Sequence, residues 1–169
     1  MKKYVLFTDG SVNTKTKIGF GAYVLLEANE IGILSKENLV SKIKTRQFNN
    51  TSSTKLELQT LLYALEVIKK TMGVIALNSQ LIIYTDSQGV VGLPERRKKL
   101  EEKNYISASK QKELNNAHLY RLFYQEQDLL NFEIIQLKGH TKSRDRDEIQ
   151  QIFAQIDKAA RKALTNFTG

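Results

Sequence analysis

The chain has no cysteine and no tryptophan, and a single proline among its 169 residues. Without cysteine there is no disulfide, no zinc–thiolate centre and no thiol nucleophile, and a reducing, cytoplasmic setting is the expectation. One proline with nine glycines leaves no collagen-like, proline-rich or low-complexity segment. No apolar run approaches the roughly 18 residues that a membrane span needs. The basic start, Met1-Lys2-Lys3, leads into an apolar run that stops at Asp9, too short for the core of a signal peptide. Negative charge is also scarce, with 18 acidic residues against 26 Lys and Arg, a net charge of +8. That balance points to a polyanionic partner rather than a membrane. The excess is uneven: Arg96, Arg97, Lys98, Lys99, Lys103, Lys110 and Lys112 sit close together against only Glu101 and Glu102. The length suits one domain over residues 1–169.

Two short segments echo each other. Tyr4-Val5-Leu6-Phe7-Thr8-Asp9 and Leu81-Ile82-Ile83-Tyr84-Thr85-Asp86 are apolar runs that end in aromatic, threonine, aspartate. Each reads as a strand buried on both faces with a turn at its end, which belongs to a parallel sheet. Ligands of open α/β sheets bind outside the carboxyl ends of such strands. If the two strands are neighbours, Asp9 and Asp86 meet at one rim, and a divalent cation is the usual reason to keep both ionised.

The rest of the pattern supports a mixed sheet covered by helices. Gly10-Ser11 and Asn13-Thr14-Lys15-Thr16-Lys17 read as a loop, and segments 18–26 and 39–48 as antiparallel strands turning at Asn29-Glu30. Ser52-Ser53-Thr54 opens a helix whose Leu58, Leu61, Leu62, Leu65 and Ile68 follow a 3.6 period up to Gly73. After the Leu81 strand comes a short helix from Ser87, interrupted by Pro94. A helix over 116–128, with Leu119, Leu122, Phe123 and Leu130 on one side, and a strand over 132–137 follow. A polar loop over 140–148 leads to a final helix carrying Ile149, Ile152, Phe153, Ile156, Ala160, Ala163 and Leu164.

Each acid has a local explanation. Asp9-Gly10 is a turn dipeptide, Asp86 suits a helix cap, and Thr54-Lys55-Leu56-Glu57 matches a capping box. Together they say more. Asp157 lies about 80° from Ile149 around its helix, at the edge of the apolar stripe, and Glu57 is expected in the first turn of its own helix. Two strand-end aspartates and two helix-borne acids suit Mg²⁺ or Mn²⁺.

Thr8-Asp9-Gly10-Ser11, Gly19-Phe20-Gly21-Ala22, Glu57, Tyr84-Thr85-Asp86-Ser87-Gln88, Lys138-Gly139-His140 and Asp157 before Ala159-Ala160-Arg161 come in that order along the chain. In this set the chain resembles ribonuclease H of type 1. The resemblance implies a ribonuclease H-like α/β fold, a five-stranded mixed sheet flanked by helices. It implies an endonuclease that hydrolyses the RNA strand of RNA–DNA hybrids, leaving 5′-phosphate and 3′-hydroxyl ends, and that acts as a monomer. Asp9, Glu57, Asp86 and Asp157 match the family's metal-binding acids for two Mg²⁺ (or Mn²⁺) ions. By that mapping Asp9 bridges the ions, Asp157 serves the water side, and Glu57 and Asp86 serve the leaving-group side. His140 matches a loop histidine associated with proton shuttling or product departure.

The same resemblance implies substrate contacts. Asn13 suits a 2′-hydroxyl, the group that marks RNA. Ser53 and Thr54 stand where many relatives carry an Asn pair. Arg96, Arg97, Lys98 and Lys99 resemble a basic handle on the DNA strand, and Asn116 with Tyr120 stands where an aromatic is expected against a sugar. Three features depart from the family: the Ser-Thr pair, the missing tryptophan, and 17 positions between His140 and Asp157. The last makes Glu148 a candidate extra acid. A non-catalytic hybrid binder and a different two-metal nuclease on the same scaffold are the competing readings.

Overall fold

The computed structural model describes residues 1–138 and 147–168. Five strands, β1 (Lys3–Asn13), β2 (Ile18–Glu27), β3 (Lys44–Phe48), β4 (Gln80–Thr85) and β5 (Asn131–Gln136), form one sheet in the order β3-β2-β1-β4-β5. β1–β2 and β2–β3 are antiparallel, whereas β1–β4 and β4–β5 are parallel, so the sheet is mixed as expected. The parallel register pairs Tyr4 with Leu81 and Phe7 with Tyr84. The two echoed segments therefore lie side by side in phase, and the same offset carries Asp9 to Asp86.

Among the described residues seven helices flank the sheet: α1 (Lys36–Lys42), α2 (Ser53–Met72), α3 (Val74–Leu77), α4 (Gln88–Val91), α5 (Leu93–Glu102), α6 (Ala117–Leu129) and α7 (Glu148–Thr168). α2 buries Leu58, Leu61, Leu62, Leu65 and Ile68 with Leu6, Ile83 and Phe123 of β1, β4 and α6 in one core. α7 buries Ile152, Phe153, Ile156 and Ala160 with Val5, Phe7, Ala22 and Val24 in a second core. β1 is the shared wall, and Val5 to Asp9 are all buried. β4 alternates instead: Leu81, Ile83 and Thr85 are buried, with Ile82 and Tyr84 only partly covered. Burial on both faces thus holds for β1 and not for β4. No helix among the described residues is long and apolar enough to cross a membrane.

Several expectations about local structure are corrected. Asp9-Gly10 is not a turn: β1 runs through it to Asn13, paired with β2 down to Ile18, and the bend comes at residues 14–17 with Lys17 at φ 60°. Ladder hydrogen bonds outweigh the turn preference of the dipeptide. The segment 39–48 is only half strand. Its start belongs to α1, where the Ser35 hydroxyl accepts from the Asn38 N–H at 3.1 Å and Leu39 alone is buried. The turn expected at Asn29-Glu30 is a 3-10 turn over Ala28–Glu30 closed by reciprocal Glu27–Glu30 bonds. Pro94 opens α5 rather than interrupting a helix, because the first turn has no use for its missing N–H. On α6, Leu122 is 44% exposed and the buried side is Ala117, Leu119, Phe123 and Tyr124.

Candidate active site

Two of the local explanations for the acids fail on inspection of the helix caps. The N-cap of α2 is Ser52, whose hydroxyl accepts from the Lys55 N–H at 3.3 Å. Glu57 is the fifth residue of α2, too far along to close a capping box. The cap of α4 is Ser87, which accepts from the Val90 N–H at 3.3 Å, so Asp86 is not needed there.

Freed from those duties, Glu57 reaches β1. The Gly10 N–H donates a hydrogen bond to its carboxylate. Glycine makes room for the neighbouring Leu56: a Cβ at Gly10 would lie 2.8 Å from Leu56 Cδ2, but an ordinary 3.5 Å from Glu57 Oε1. Directly across the ladder, a Cβ at Gly21, the β2 partner of Gly10, would fall 2.1 Å from Thr60 Oγ1, so α2 rests directly on the backbone of β1 and β2. The Gly-Phe-Gly-Ala motif is the sequence signal of that seat.

Carboxylate oxygens of Asp9, Glu57 and Asp86 lie within 4.8 Å of one another. Asp157, brought by α7, completes the group within hydrogen-bonding reach of Asp9. Burial first, then the charges of Glu57 and Asp86, push the Asp9 carboxyl up to about 9. Burial and then Asp86 push Glu57 up to about 8, against the Gly10 N–H, which favours its charged form. Glu57 Oε2 is buried without a hydrogen-bond partner. Asp157 differs, since Arg161 one turn on donates to its Oδ2 at 2.6 Å.

This donor set fits a divalent cation. Three carboxylates converge, one of them keeps a buried oxygen with no hydrogen-bond partner, and the ligands are all oxygen. Glu148 does not belong to it. It stands nine residues before Asp157 on α7, roughly 13 Å along the axis, with its carboxylate against Gly32. His140 lies outside the described residues.

The remaining candidates fall into three places. Asn13 ends β1, and its Oδ1 accepts from the Lys15 and Thr16 N–H groups, shaping the β1–β2 turn. Thr54, Arg96, Asn116 and Tyr120 line one cleft between α2, α5 and α6, with Ser53 exposed at the start of α2. Arg96 lies over the Tyr120 ring at 5.6 Å. Lys98 and Lys99 are exposed on α5. Arg97 is spent on structure: it holds Asp128 through two N–H groups at 2.6 and 2.8 Å, Glu101 at 2.6 Å, and the face of Tyr124. Sequence reading missed the Arg161–Asp157 pair, although its i, i+4 spacing is visible.

A family model described as RNase H matches residues 1–165. No curated protein matches the chain.

Proposed function

As the chain belongs to the RNase H family and is thereby a hydrolase that cleaves the RNA strand of RNA–DNA hybrids, we propose that it does so with two divalent cations, Mg²⁺ or Mn²⁺, leaving 5′-phosphate and 3′-hydroxyl ends. The observation that carries this reading is the buried, partnerless Glu57 Oε2 beside Asp9 and Asp86. A buried carboxylate oxygen without a donor is costly unless a cation takes the place of the donor.

Asp9, Glu57 and Asp86 would hold a cation on one side, and Asp9 with Asp157 a second on the other. What divalent cations supply there is Lewis acidity toward water and toward the scissile phosphate. The chain supplies the rest. β1 and β4 fix Asp9 and Asp86 on rigid strands, and the glycine seat fixes Glu57, so the acids need no reorganisation when substrate arrives. In hydrolysis a P–O bond forms to water, the bond to the 3′ oxygen breaks, and the water's proton must leave while that oxygen gains one. His140 is the residue we assign to carrying a proton. We assign Asn13, Ser53 and Thr54 to contacts with the hybrid, and the Arg96–Tyr120 cleft with Lys98 and Lys99 to the DNA strand. Selection then comes from groove shape and 2′-hydroxyl contacts, not base edges. All four acids come from one chain, which supports a monomer as the working unit.

The test is cleavage of an end-labelled RNA–DNA hybrid beside matched RNA–RNA and DNA–DNA duplexes, with Mg²⁺ or with EDTA. Only the RNA strand of the hybrid should be cut, and only with Mg²⁺, to products that a phosphatase shows to carry 5′-phosphate. Equal cutting of the DNA duplex, or activity surviving EDTA, would overturn the proposal.

A further inference from the structure

On the far edge of the sheet from the Arg96 cleft, one arginine is held in a way that no part of the site explains. Arg46 of β3 lies over the Tyr63 ring at 4.2 Å and the Phe48 ring at 5.0 Å. Those rings meet edge to face, with centroids 6.5 Å apart. The two rings hold the guanidinium in place, yet no oxygen among the described residues accepts from it, and the residue is exposed. Beside it runs a shallow groove of about 520 Å³ between β2, β3 and α2, with Lys42, Lys44 and Tyr63 at its polar side and Val24, Leu25 and Val67 among its apolar lining. Lys42 is paired with Glu30 at 3.0 Å, whereas Lys44 is exposed. A stacked arginine has lost much of its side-chain freedom in advance, and its fork of N–H groups matches a phosphate.

Register places this group near the acids. Arg46 pairs with Gly21, which pairs with Gly10, so its row is the one next to Asp9 and Ala22. Two strand spacings put the Arg46 backbone roughly 10 Å from that of Gly10. That distance is about a third of one turn of a nucleic-acid duplex, so a hybrid held at Asp9 and continuing past the start of α2 comes within reach of the β3 edge.

We infer that the Arg46–Tyr63–Phe48 stack, with Lys44 beside it, is a further phosphate-binding site for the part of the hybrid that extends beyond the cleaved position. The inference rests on the proposed hybrid-cleaving function. It assigns Arg46 to ground-state binding, with no part in the chemistry. The competing role is structural: charged residues on an edge strand discourage sheet-to-sheet pairing, and the stack could simply pin β3 to α2. The two roles separate in salt dependence, because only a phosphate contact changes the number of counterions released on binding.

The experiment measures binding of a fluorescent hybrid by anisotropy at several salt concentrations, using the Asp9→Asn protein in EDTA so that nothing is cut. Arg46→Ala, Arg46→Lys and Tyr63→Leu are compared on a long hybrid and on one trimmed to the region around the acids. Arg46→Ala should weaken the long hybrid about threefold and flatten the slope of log affinity against log salt by about 0.7–0.9, the value of one phosphate. Arg46→Lys should keep the slope and recover only part of the affinity. Tyr63→Leu should keep the slope and lose affinity through the unstacked guanidinium. The trimmed hybrid should respond to none of them. An unchanged slope and affinity for Arg46→Ala on the long hybrid would overturn the site, as would an equal loss on the trimmed one. Failure of the unsubstituted chain to cut any hybrid would instead overturn the functional proposal, and this inference with it.

Discussion

Glu57 and Glu126 are both glutamates on helices, both largely covered, and each has its Oε2 buried without a hydrogen-bond partner. Their surroundings are opposite. Glu126 on α6 meets Lys69 of α2, which also holds Glu66 at 2.8 Å. Burial raises the Glu126 carboxyl, but the lysine works against that rise and the pair ties two helices together. Around Asp9 the strongest influences are burial and three more carboxylates, all pushing the same way. A structural acid cluster carries its cation with it. In the other cluster Arg161 holds Asp157, but among the described residues no cation pairs with Asp9 or Glu57, which leaves that place to something exchangeable, protons or divalent ions.

The contrast can be broken most decisively by exchanging one residue in each cluster. Asp9→Asn should cut hybrid hydrolysis by more than about a hundredfold, since losing even an outer-shell partner of a metal costs 10–100-fold. The same change removes like-charge repulsion, so the metal-free protein should keep its thermal midpoint or gain slightly. Lys69→Met should do the reverse, leaving kcat at saturation intact while stability falls by about 2 kcal/mol, the cost of a broken buried pair reduced for its partial exposure. Activity loss with Lys69→Met, or a marked fall in the metal-free midpoint with Asp9→Asn, would erase the distinction.

pH sharpens it next. In the folded, metal-free chain the Asp9 and Glu57 carboxyls sit near 9 and 8, above the ordinary range near 4 that applies on unfolding. Between those limits the native state binds more protons than the unfolded chain. The stabilisation they contribute is complete below about pH 4 and is lost as pH rises through 8 to 9. Thermal midpoints in EDTA should therefore fall from pH 5 to pH 9, whereas midpoints with Mg²⁺ should change less, because a cation then replaces the protons. A flat profile in EDTA would mean that the acids are not coupled as described.

The smallest effect lies within the basic helix α5. Changing Arg96, Lys98 and Lys99 together to Ser should raise KM and flatten the salt slope by up to three phosphates, at roughly 0.7–0.9 each, with kcat within a fewfold. Arg97→Ala should leave the slope unchanged and lower the thermal midpoint slightly, because its partners are Asp128, Glu101 and Tyr124. An equal change of slope from Arg97 alone would make it a phosphate contact after all.

The two Thr-Asp strands, the mixed sheet, the α2 and α7 stripes and the elements that carry Asp9, Glu57, Asp86 and Asp157 were all legible in the chain. The hydrophobic period and the Thr-Asp echo are local signals, and burial of those side chains admits few alternatives. What remained hidden shares one cause. Asp9-Gly10 could turn or extend, Glu57 could cap a helix or face a strand, Asp86 could cap α4, and Arg97 could grip a phosphate or an aspartate. In each pair the local free energies are close, and contacts distant in sequence decide: β2 pairing for Asp9, the glycine seat for Glu57, the Ser87 cap that frees Asp86, and α6 for Arg97. The sequence by itself determined which acids this protein carries and on which elements. Only the tertiary structure decided that Asp9 and Glu57 crowd together with no cation paired to them among the described residues while Glu126 received Lys69, because electrostatic partners are set by register and packing rather than by neighbours along the chain.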